Sequence, residues 1–242
     1  MNEAYEQWHR HMAQGEGSKG EILYPWHRTV IKRLPDLNGK EVLEVGCGRG
    51  DFSILLACRY PMGKFTGIDF SATAIEVANS KLIESSSRSV FKVGDAEHLP
   101  FNSESFDYII SCECLEHVPQ PARMAKEIAR CLKPGGAFIL TTENYFNGML
   151  LAWLACWLKK RPFDSGSGVQ PRENFFLFWR VRRLLETAGL RIEHMESNHF
   201  QWLLLPRVAP TRLCTKEFAN ELWNRLFRPF GRHFTYVGSK PV

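Results

Sequence analysis

Short apolar runs alternate with segments of helical periodicity between residues 22 and 142 of this 242-residue chain. The apolar runs predict buried β-strands at residues 41–45, 64–68, 90–93, 106–111 and 137–142. Amphipathic segments around these runs predict helices at residues 22–34, 52–60 and 121–132, and after Ser71, a suitable N-cap. Regular strand–helix alternation with short connections is typical of a parallel sheet with helices on both faces. We therefore predict an α/β fold with a doubly wound sheet.

Polar or glycine-rich segments follow four of the predicted strands. Three glycines within residues 46–50 follow the first strand, Asp69 the second, Asp95 the third, and residues 112–117 the fourth. Glycine at alternate positions suits a sharp strand-to-helix turn where a ligand contacts the backbone. Because ligands of doubly wound sheets bind outside the carboxyl ends of the strands, we expect these segments to line one crevice.

The spacing of the glycines distinguishes between two classes of cofactor. A dinucleotide-binding turn has the pattern G-x-G-x-x-G, but Asp51 stands here in place of the third glycine, where an acid would repel a pyrophosphate. The methionine portion of S-adenosylmethionine carries no phosphate, and its ammonium group tolerates an acid such as Glu44. Asp69, 19 residues after Gly50, is placed to accept hydrogen bonds from ribose hydroxyls of either cofactor. The pattern therefore favours S-adenosyl-L-methionine.

Several segments together resemble class I S-adenosylmethionine-dependent methyltransferases. They are residues 42–50 (VLEVGCGRG), 67–69 (GID), 94–101 (GDAEHLPF), 106–110 (FDYII) and 132–136 (LKPGG). The resemblance implies a Rossmann-like, seven-stranded, mostly parallel sheet in the order 3-2-1-4-5-7-6, with an antiparallel last strand formed by residues 233–240. It also implies methyltransferase activity with S-adenosyl-L-methionine as the cofactor.

Residues 111–119 (SCECLEHVP) are similar to the segment after strand four in polyprenyl-catechol O-methyltransferases of ubiquinone biosynthesis, which share the pattern E-x-x-E-H. This narrower resemblance implies that Cys112 lies near the methionine portion of the cofactor and that Arg28 faces its carboxylate. The broader one implies that the glycine loop contacts the methionine portion, Asp69 the ribose, and Phe70 and the residues after strand three the adenine. The expected cofactor-binding residues are Arg28, Glu44, Gly46, Cys47, Gly48, Asp69, Phe70, Asp95, Ala96 and Cys112.

Three side chains after strand four, Glu113, Glu116 and His117, are expected on the acceptor side of the crevice. Methyl transfer from a sulfonium requires alignment, exclusion of water and, for a hydroxyl acceptor, a base. In one interpretation His117 is that base; in a second, the three side chains ligate a divalent cation that binds a catecholate. In a third they only cap the following loop. We name His117 and Glu113 as candidate catalytic residues, assign no metal ligand, and regard His27 and His199 as weaker candidates.

Charge and apolar residues are distributed unevenly along the chain. Residues 1–144 carry 16 Lys or Arg against 19 Asp or Glu, whereas residues 145–242 carry 15 against 7. The apolar run 148–158 is shorter than the roughly 20 residues that a membrane-spanning helix needs. It is followed by a glycine-containing link at 166–168, a helix predicted at 175–188, an apolar segment at 202–205 and a basic amphipathic segment at 216–228. These features are consistent with two interpretations. One is a lid over a hydrophobic acceptor that also contacts an anionic membrane, and the other is a helical cap whose aromatic residues form its own core, alone or with a homodimer partner.

The predicted organisation is an N-terminal arm and helix (1–35), a cofactor-binding α/β core (36–144), a helical cap inserted after strand five (145–188) and a C-terminal part with the last strands (189–242). Nucleic acid is not expected as a partner, because the aromatic residues lie in apolar runs rather than between basic residues. Seven cysteines without a CxxC pair, and a polar N-terminus, suggest a cytoplasmic location.

The functional hypothesis is methyl transfer to a small, hydrophobic acceptor at oxygen. The alternatives are an N- or C-methyltransferase acting on a small metabolite, and a non-catalytic cofactor-binding protein.

Overall fold

The computed structural model describes residues 24–85, 89–146, 149–160, 173–198 and 227–242, together with Glu3, Glu6, Gln7 and Arg10. The predictions for residues 166–168, His199, residues 202–205 and nearly all of residues 216–228 lie outside this part of the chain.

The described strands form one seven-stranded sheet in the order β3-β2-β1-β4-β5-β7-β6. They are β1 (Glu41–Val45), β2 (Lys64–Asp69), β3 (Val90–Val93), β4 (Phe106–Cys112), β5 (Leu132–Glu143), β6 (Arg191–Asn198) and β7 (His233–Ser239). β7 pairs antiparallel with both of its neighbours, while the other neighbouring strands pair in parallel. The predicted sheet order and the antiparallel last strand are confirmed. Because β7 is reversed, it begins at the edge of the sheet where the parallel strands end.

The helices follow the strands as the periodicity predicts. They are α1 (Pro25–Arg33), α2 (Asp51–Arg59), α3 (Ala72–Ser85), α4 (Pro121–Cys131), α5 (Met149–Leu158) and α6 (Phe178–Thr187), with 3₁₀ turns at Leu115–His117 and Arg228–Phe230. Ser71 precedes α3, and its Oγ accepts a hydrogen bond from the amide of Ala74 at 3.1 Å. This is the N-cap that the sequence predicts, and it satisfies one of the free amides of the first helical turn.

Both faces of the central strands are buried, which explains why β1 and β4 are apolar runs rather than alternating patterns. On β1, Leu43 and Val45 pack into one core cluster, together with residues of α4 and α6. Val42 faces the other way and packs with Phe52 and Leu56 of α2. Successive side chains of a strand point to opposite faces, so β1 contributes to both clusters.

The start of β5 differs from the sequence prediction. The strand is predicted at residues 137–142, but it begins at Leu132 and contains the turn at residues 133–136 as an irregularity. Gly135 has φ of +73°, and the pairing with β4 shifts between Phe106 and Tyr108. The chain therefore folds the turn into the strand as a bulge instead of separating the two.

The start of α6 also differs from the prediction, which placed it at residue 175. Residue Phe176 is extended against the end of β5, since its carbonyl accepts a hydrogen bond from the amide of Tyr145 at 3.0 Å. The helix begins at Phe178, whose amide donates to Oδ1 of Asn144 at 3.1 Å. A side chain from a distant part of the sequence thus sets this boundary.

Helix α5 carries the apolar run after β5, and much of its apolar surface faces solvent. Leu154, Trp157 and Leu158 are 41%, 64% and 67% exposed. None of the helices in the described ranges has the length and apolarity needed to cross a bilayer.

Candidate functional site

The glycine loop after β1 is a tight turn that exposes bare backbone at the edge of the sheet. Gly46, Gly48 and Gly50 have φ values of +78°, +52° and +76°, a region that glycine adopts without steric cost. The amides of Gly46 and Cys47 both donate to the carbonyl of Ile68, at 2.8 and 3.0 Å. These bonds hold the loop against the end of β2.

The segment after β4 lies directly against this loop. A Cβ atom at Gly46 would come within 2.5 Å of Sγ of Cys114. The preceding residue, Glu113, has φ of +49°, so the chain turns sharply where it leaves the strand. The expected cofactor loop and the expected acceptor segment are therefore in contact.

The carboxylate of Asp69, the last residue of β2, accepts hydrogen bonds from the backbone of two turns. Oδ2 accepts a hydrogen bond from the amide of Gly48 at 2.9 Å, and Oδ1 accepts one from the amide of Ser71 at 3.0 Å. These two bonds fix the carboxylate at the end of β2, beside the glycine loop. Its position beside the loop agrees with the expectation, and its contact with ribose stays a prediction.

Glu44 is a buried acid on β1, 4% exposed, and it accepts a hydrogen bond from the hydroxyl of Ser53. Burial, together with the charges of Asp69 and Asp51, raises the pKa of Glu44 to about 8, although the bond from Ser53 opposes this shift. The charged groups that shift this pKa are all acids, so a nearby cation would stabilise the carboxylate. The ammonium group of S-adenosylmethionine is such a cation, and the residues around the loop therefore fit this cofactor.

The part of the site that is expected to bind adenine is more exposed to solvent than the glycine loop and Glu44. Asp95 is exposed, with Oδ1 accepting from the amide of Glu97 at 2.8 Å and Oδ2 lying 3.1 Å from Nδ1 of His98. Ala96 packs against the core, and Phe70 is half-buried directly after β2. These residues lie at the carboxyl ends of β2 and β3, and their contact with adenine stays a prediction.

Cys112, Arg28 and His27 have three different environments. Burial, with the charge of Glu44, raises the pKa of the Cys112 thiol well above its usual value, so this residue is a neutral neighbour of the buried acid. Arg28 is exposed on α1, and its role toward the cofactor stays a prediction. His27 stacks on Phe52 with 4.2 Å between ring centroids, and burial lowers its pKa to about 4. His27 therefore has the environment of a core residue.

The acceptor side forms where β4, β5 and β7 meet. The amide of Glu113 donates to the carbonyl of Thr141 on β5 at 3.0 Å, which directs the turn after β4 toward that strand. Oε2 of Glu113 lies 3.0 Å from Nδ1 of His233. The ring of His233 in turn lies against Trp26 of α1, with 5.1 Å between centroids.

Three residues that the sequence analysis did not assign to the site join this cluster: Glu143, Arg232 and His233. The antiparallel register pairs His233 with Glu143, and Nη2 of Arg232 donates to Oε1 of Glu143 at 2.7 Å. The predicted reversal of the last strand was the available signal, since it places the first residue of that strand at the ligand-binding edge. Residue 233 was interpreted only as the beginning of a strand.

Glu116 and His117 lie in the 3₁₀ turn that follows Glu113. Glu116 is 1% exposed, and its Oε2 accepts a hydrogen bond from Oγ1 of Thr142 at 2.8 Å. Burial, with the charge of Glu113, raises the pKa of Glu116 well above its usual value. Nε2 of His117 lies 3.8 Å from Oε1 of Glu116, and the His117 side chain is 17% exposed. His117 thus lies beside a buried acid at the end of β4.

Among the titratable groups of the cluster, only one pair is ionised at neutral pH. Burial, with the charge of Glu143, raises the pKa of Glu113 to about 8, and burial lowers the pKa of His233 to about 4. Burial alone would raise the pKa of Glu143, but the guanidinium of Arg232 reverses this effect and holds it below its usual value. At neutral pH Glu143 and Arg232 are therefore charged, while Glu113 and His233 share a proton.

A doubly wound sheet with a glycine turn after β1, an aspartate at the end of β2 and a buried acid beside the turn is typical of α/β enzymes that bind nucleosides. The family model described as a methyltransferase domain matches residues 43–140. A ubiquinone biosynthesis O-methyltransferase of Coxiella burnetii is 31% identical over 185 residues, which cover 74% of this chain and 75% of that protein. The chain belongs to the class I S-adenosylmethionine-dependent methyltransferases. It is an enzyme that uses S-adenosyl-L-methionine.

Two further similarities agree with this assignment. A demethylmenaquinone methyltransferase of Lactococcus lactis is 38% identical over 122 residues, so the match spans 50% of this chain and 48% of that relative. The crystal structure of an S-adenosylmethionine-dependent methyltransferase from Methanosarcina mazei superposes with a TM-score of 0.64 at 24% identity, covering 91% of this chain and 99% of that one. The predicted class and the weaker resemblance to methyltransferases of ubiquinone biosynthesis are confirmed.

Proposed function

We propose that this methyltransferase transfers the methyl group to an oxygen atom of a small hydrophobic acceptor, a phenol or catechol with an apolar tail. The observation that carries the proposal is the position of Glu113 and His117. They flank Cys114, which touches the cofactor loop at Gly46. Groups able to bind and deprotonate a hydroxyl thus lie next to the expected position of the sulfonium.

The similarity to quinone methyltransferases supports the class of acceptor. The Coxiella burnetii relative is named as a ubiquinone biosynthesis O-methyltransferase and the Lactococcus lactis relative as a demethylmenaquinone methyltransferase. The aromatic residues after β5 provide a partly exposed apolar surface, because Phe175 stacks on the buried Tyr145 and on Trp153, each at 5.2 Å between centroids, and the rings of Phe175 and Trp153 are half-buried. A flat, apolar acceptor ring is complementary to such a surface.

The roles of the residues follow from the chemistry of the transfer. S-adenosylmethionine supplies a methyl group on a sulfonium whose sulfur leaves as a neutral thioether. His117 takes the hydroxyl proton while the acceptor oxygen forms its bond to the methyl carbon. Glu116 orients the imidazole, and Glu113 aligns the acceptor oxygen. The buried side chains of Leu115 and Val118 keep water away from this position.

The experiment is a labelling assay with S-adenosylmethionine that carries an isotope in its methyl group. Three acceptors with the same apolar tail are compared: a catechol, a demethylated naphthoquinol that reacts at carbon, and an alkyl amine. We expect label on the catechol oxygen, and a loss of kcat of about 100-fold or more in His117→Gln with unchanged cofactor affinity. Label on carbon or nitrogen alone would assign the alternative methyltransferase reactions. Cofactor binding without transfer to any acceptor would contradict the proposal.

We further propose that α5 brings the enzyme to an anionic membrane surface from which the acceptor is taken. Trp157 and Leu158 are exposed at the end of the helix, and the exposed Lys159 and Lys160 follow them directly. Apolar side chains with adjacent basic residues are typical of helices that lie in the membrane interface.

Flotation with vesicles tests this contact. We expect the wild type to float with vesicles that contain phosphatidylglycerol, less with neutral vesicles, and Trp157→Asp to lose most of the binding. Met62→Asp is the matched control, because Met62 is 73% exposed but lies between α2 and β2. Binding that is equal in both variants would contradict the proposal, and a change from dimer to monomer in Trp157→Asp without any effect on flotation would assign the surface to a homodimer interface.

A further inference from the structure

Three donor side chains from different strand ends surround one point on the acceptor side. They are Glu113 after β4, Glu143 at the end of β5 and His233 at the start of β7, and each offers a ligand atom within 4.8 Å of the other two. Two carboxylates and an imidazole are a suitable donor set for Mn²⁺ or Zn²⁺. We propose that Glu113, Glu143 and His233 bind a divalent cation beside the cofactor loop.

The two carboxylates have acceptor atoms that the protein does not use. Within the described ranges, Oε1 of Glu113 and Oε2 of Glu143 are buried without a hydrogen-bond partner, and Glu143 is only 9% exposed. A buried polar atom without a partner costs about 1–3 kcal/mol. A cation bound by both oxygens of Glu113 and by Oε2 of Glu143 removes this cost. The missing hydrogen-bond partners support a cation site independently of the spacing of the three residues.

The contact between Glu113 and His233 has the spacing of two neighbouring metal ligands. Oε2 and Nδ1 are 3.0 Å apart. Two atoms bound at about 2.1 Å and at a right angle to each other would be about 3.0 Å apart. A cation can therefore replace the proton that these two atoms share, and that proton leaves to solvent. Trp26, whose ring lies 5.1 Å from that of His233, keeps the imidazole in this orientation.

Arg232 is compatible with a cation at this position. Its Nη2 binds Oε1 of Glu143 at 2.7 Å and leaves Oε2 for the cation. Such partners commonly orient a metal-bound carboxylate. When both acids are ionised, the two carboxylates and the guanidinium together carry one negative charge. A divalent cation makes this group positive by one charge, which an acceptor oxyanion neutralises.

The role of the cation rests on the proposed function, whereas its binding does not. Three protein ligands leave coordination positions open for the two oxygens of a catechol. Coordination lowers the pKa of the hydroxyl group, so that His117 removes the proton more readily. In the alternative drawn from the E-x-x-E-H motif, the ligands are Glu113, Glu116 and His117. The two ligand sets have only Glu113 in common.

Calorimetric titration of MnCl₂ and of ZnCl₂ into the purified protein, without cofactor or acceptor, tests the site. We expect one cation per chain, and a loss of affinity of about tenfold or more in Glu143→Gln and in His233→Gln. His117→Gln is the matched control, because it removes an imidazole next to the cluster but outside the ligand set; its cation affinity should stay within about twofold of the wild type. Each variant is also titrated with S-adenosylmethionine, and retained affinity shows that its fold is intact.

The outcomes separate the cation site from the proposed function. A wild type that binds neither cation, or binding that is lost in His117→Gln but kept in His233→Gln, would overturn the site. Methyl transfer that proceeds without cation binding leaves the proposed function and removes this inference. Cation binding in a protein that transfers no methyl group supports this inference and removes the proposed function. If the protein both binds the cation and transfers the methyl group, Mn²⁺ should broaden the ring-proton NMR signals of the catechol in the wild type and not in His233→Gln.

Discussion

The sulfur of Cys114 occupies the space that a side chain at Gly46 would need. A Cβ atom at Gly46 would lie 2.5 Å from Sγ and 2.6 Å from Cβ of Cys114. Because Cβ is fixed to the backbone, rotation of the Cys114 side chain cannot relieve the contact. The cofactor loop and the segment that carries Glu113 and His117 are therefore packed as one unit.

We expect Gly46→Ala to lower the free energy of unfolding by about 2–4 kcal/mol, because it combines a left-handed backbone with overpacking. Gly39→Ala is the matched control. Its φ of +72° is close to the +78° of Gly46, but a Cβ there would meet nothing within 4 Å. The control should lose only about 1–2 kcal/mol. Urea denaturation measures both values, and equal losses would show that Cys114 moves aside.

Asp69 connects the glycine loop to the start of α3, and we expect Asp69→Asn to weaken S-adenosylmethionine binding about 10- to 100-fold. An amide has a single acceptor oxygen, so it cannot accept from both Gly48 and Ser71 as the carboxylate does. Ser71→Ala is the comparison, because it removes the helix cap and leaves the carboxylate. It should cost about 1 kcal/mol of stability with little effect on the affinity that calorimetry measures. Similar affinities in Asp69→Asn and the wild type would exclude this role of the carboxylate.

The sequence was a good guide wherever the determining residues are close together in the chain. Strands at residues 41–45 and 90–93 have the predicted bounds, because a glycine follows each apolar run directly. The start of α6 at Phe178 was wrong by three residues, because Asn144 on the other side of the α5 segment caps that helix. Local periodicity contains no information about such a contact.

The same reasoning explains which part of the acceptor cluster was found. Glu113, Glu116 and His117 belong to one short motif, and a parallel sheet places that motif at the ligand-binding edge. Glu143 and His233 meet only through the antiparallel register of β5 and β7. Predicting their contact requires the register as well as the order of the strands, and the resemblance to class I methyltransferases implied the order alone.

Glu44 should make the stability of the free protein depend on pH. Its pKa is about 8 in the folded state and about 4.3 in an unfolded chain, so the folded state holds a proton that the unfolded state releases between these values. Stability from this group is therefore present at low pH and is lost as the pH rises from about 5 to about 8, by at most about 1.4 kcal/mol per unit. Glu44→Gln should remove this loss. We expect its stability relative to the wild type to increase between pH 5.5 and 8.5 in urea denaturation; a constant difference would show that Glu44 titrates alike in both states.

His27 should have the opposite effect, at lower pH. Its pKa is about 4 in the folded state against about 6.5 unfolded, because burial disfavours the charged ring even though Asp51 opposes the shift. Between these values the unfolded chain binds more protons, so stability is lost as the pH falls from about 6.5 to about 4. His27→Phe keeps an aromatic ring against Phe52, whose centroid lies 4.2 Å from that of His27, and removes the titrating nitrogens.

We expect His27→Phe to be more stable than the wild type by about 2 kcal/mol at pH 5 and nearly equal to it at pH 7.5. His98→Phe is the comparison, because its ring is 65% exposed, so the same substitution is made there without a buried environment. Thermal unfolding at the two pH values measures both variants. Methyl transfer at pH 7.5 should be unaffected by His27→Phe, since the buried ring stacks on α2 and not on the acceptor cluster. A large loss of kcat at this pH would instead support a catalytic role of His27.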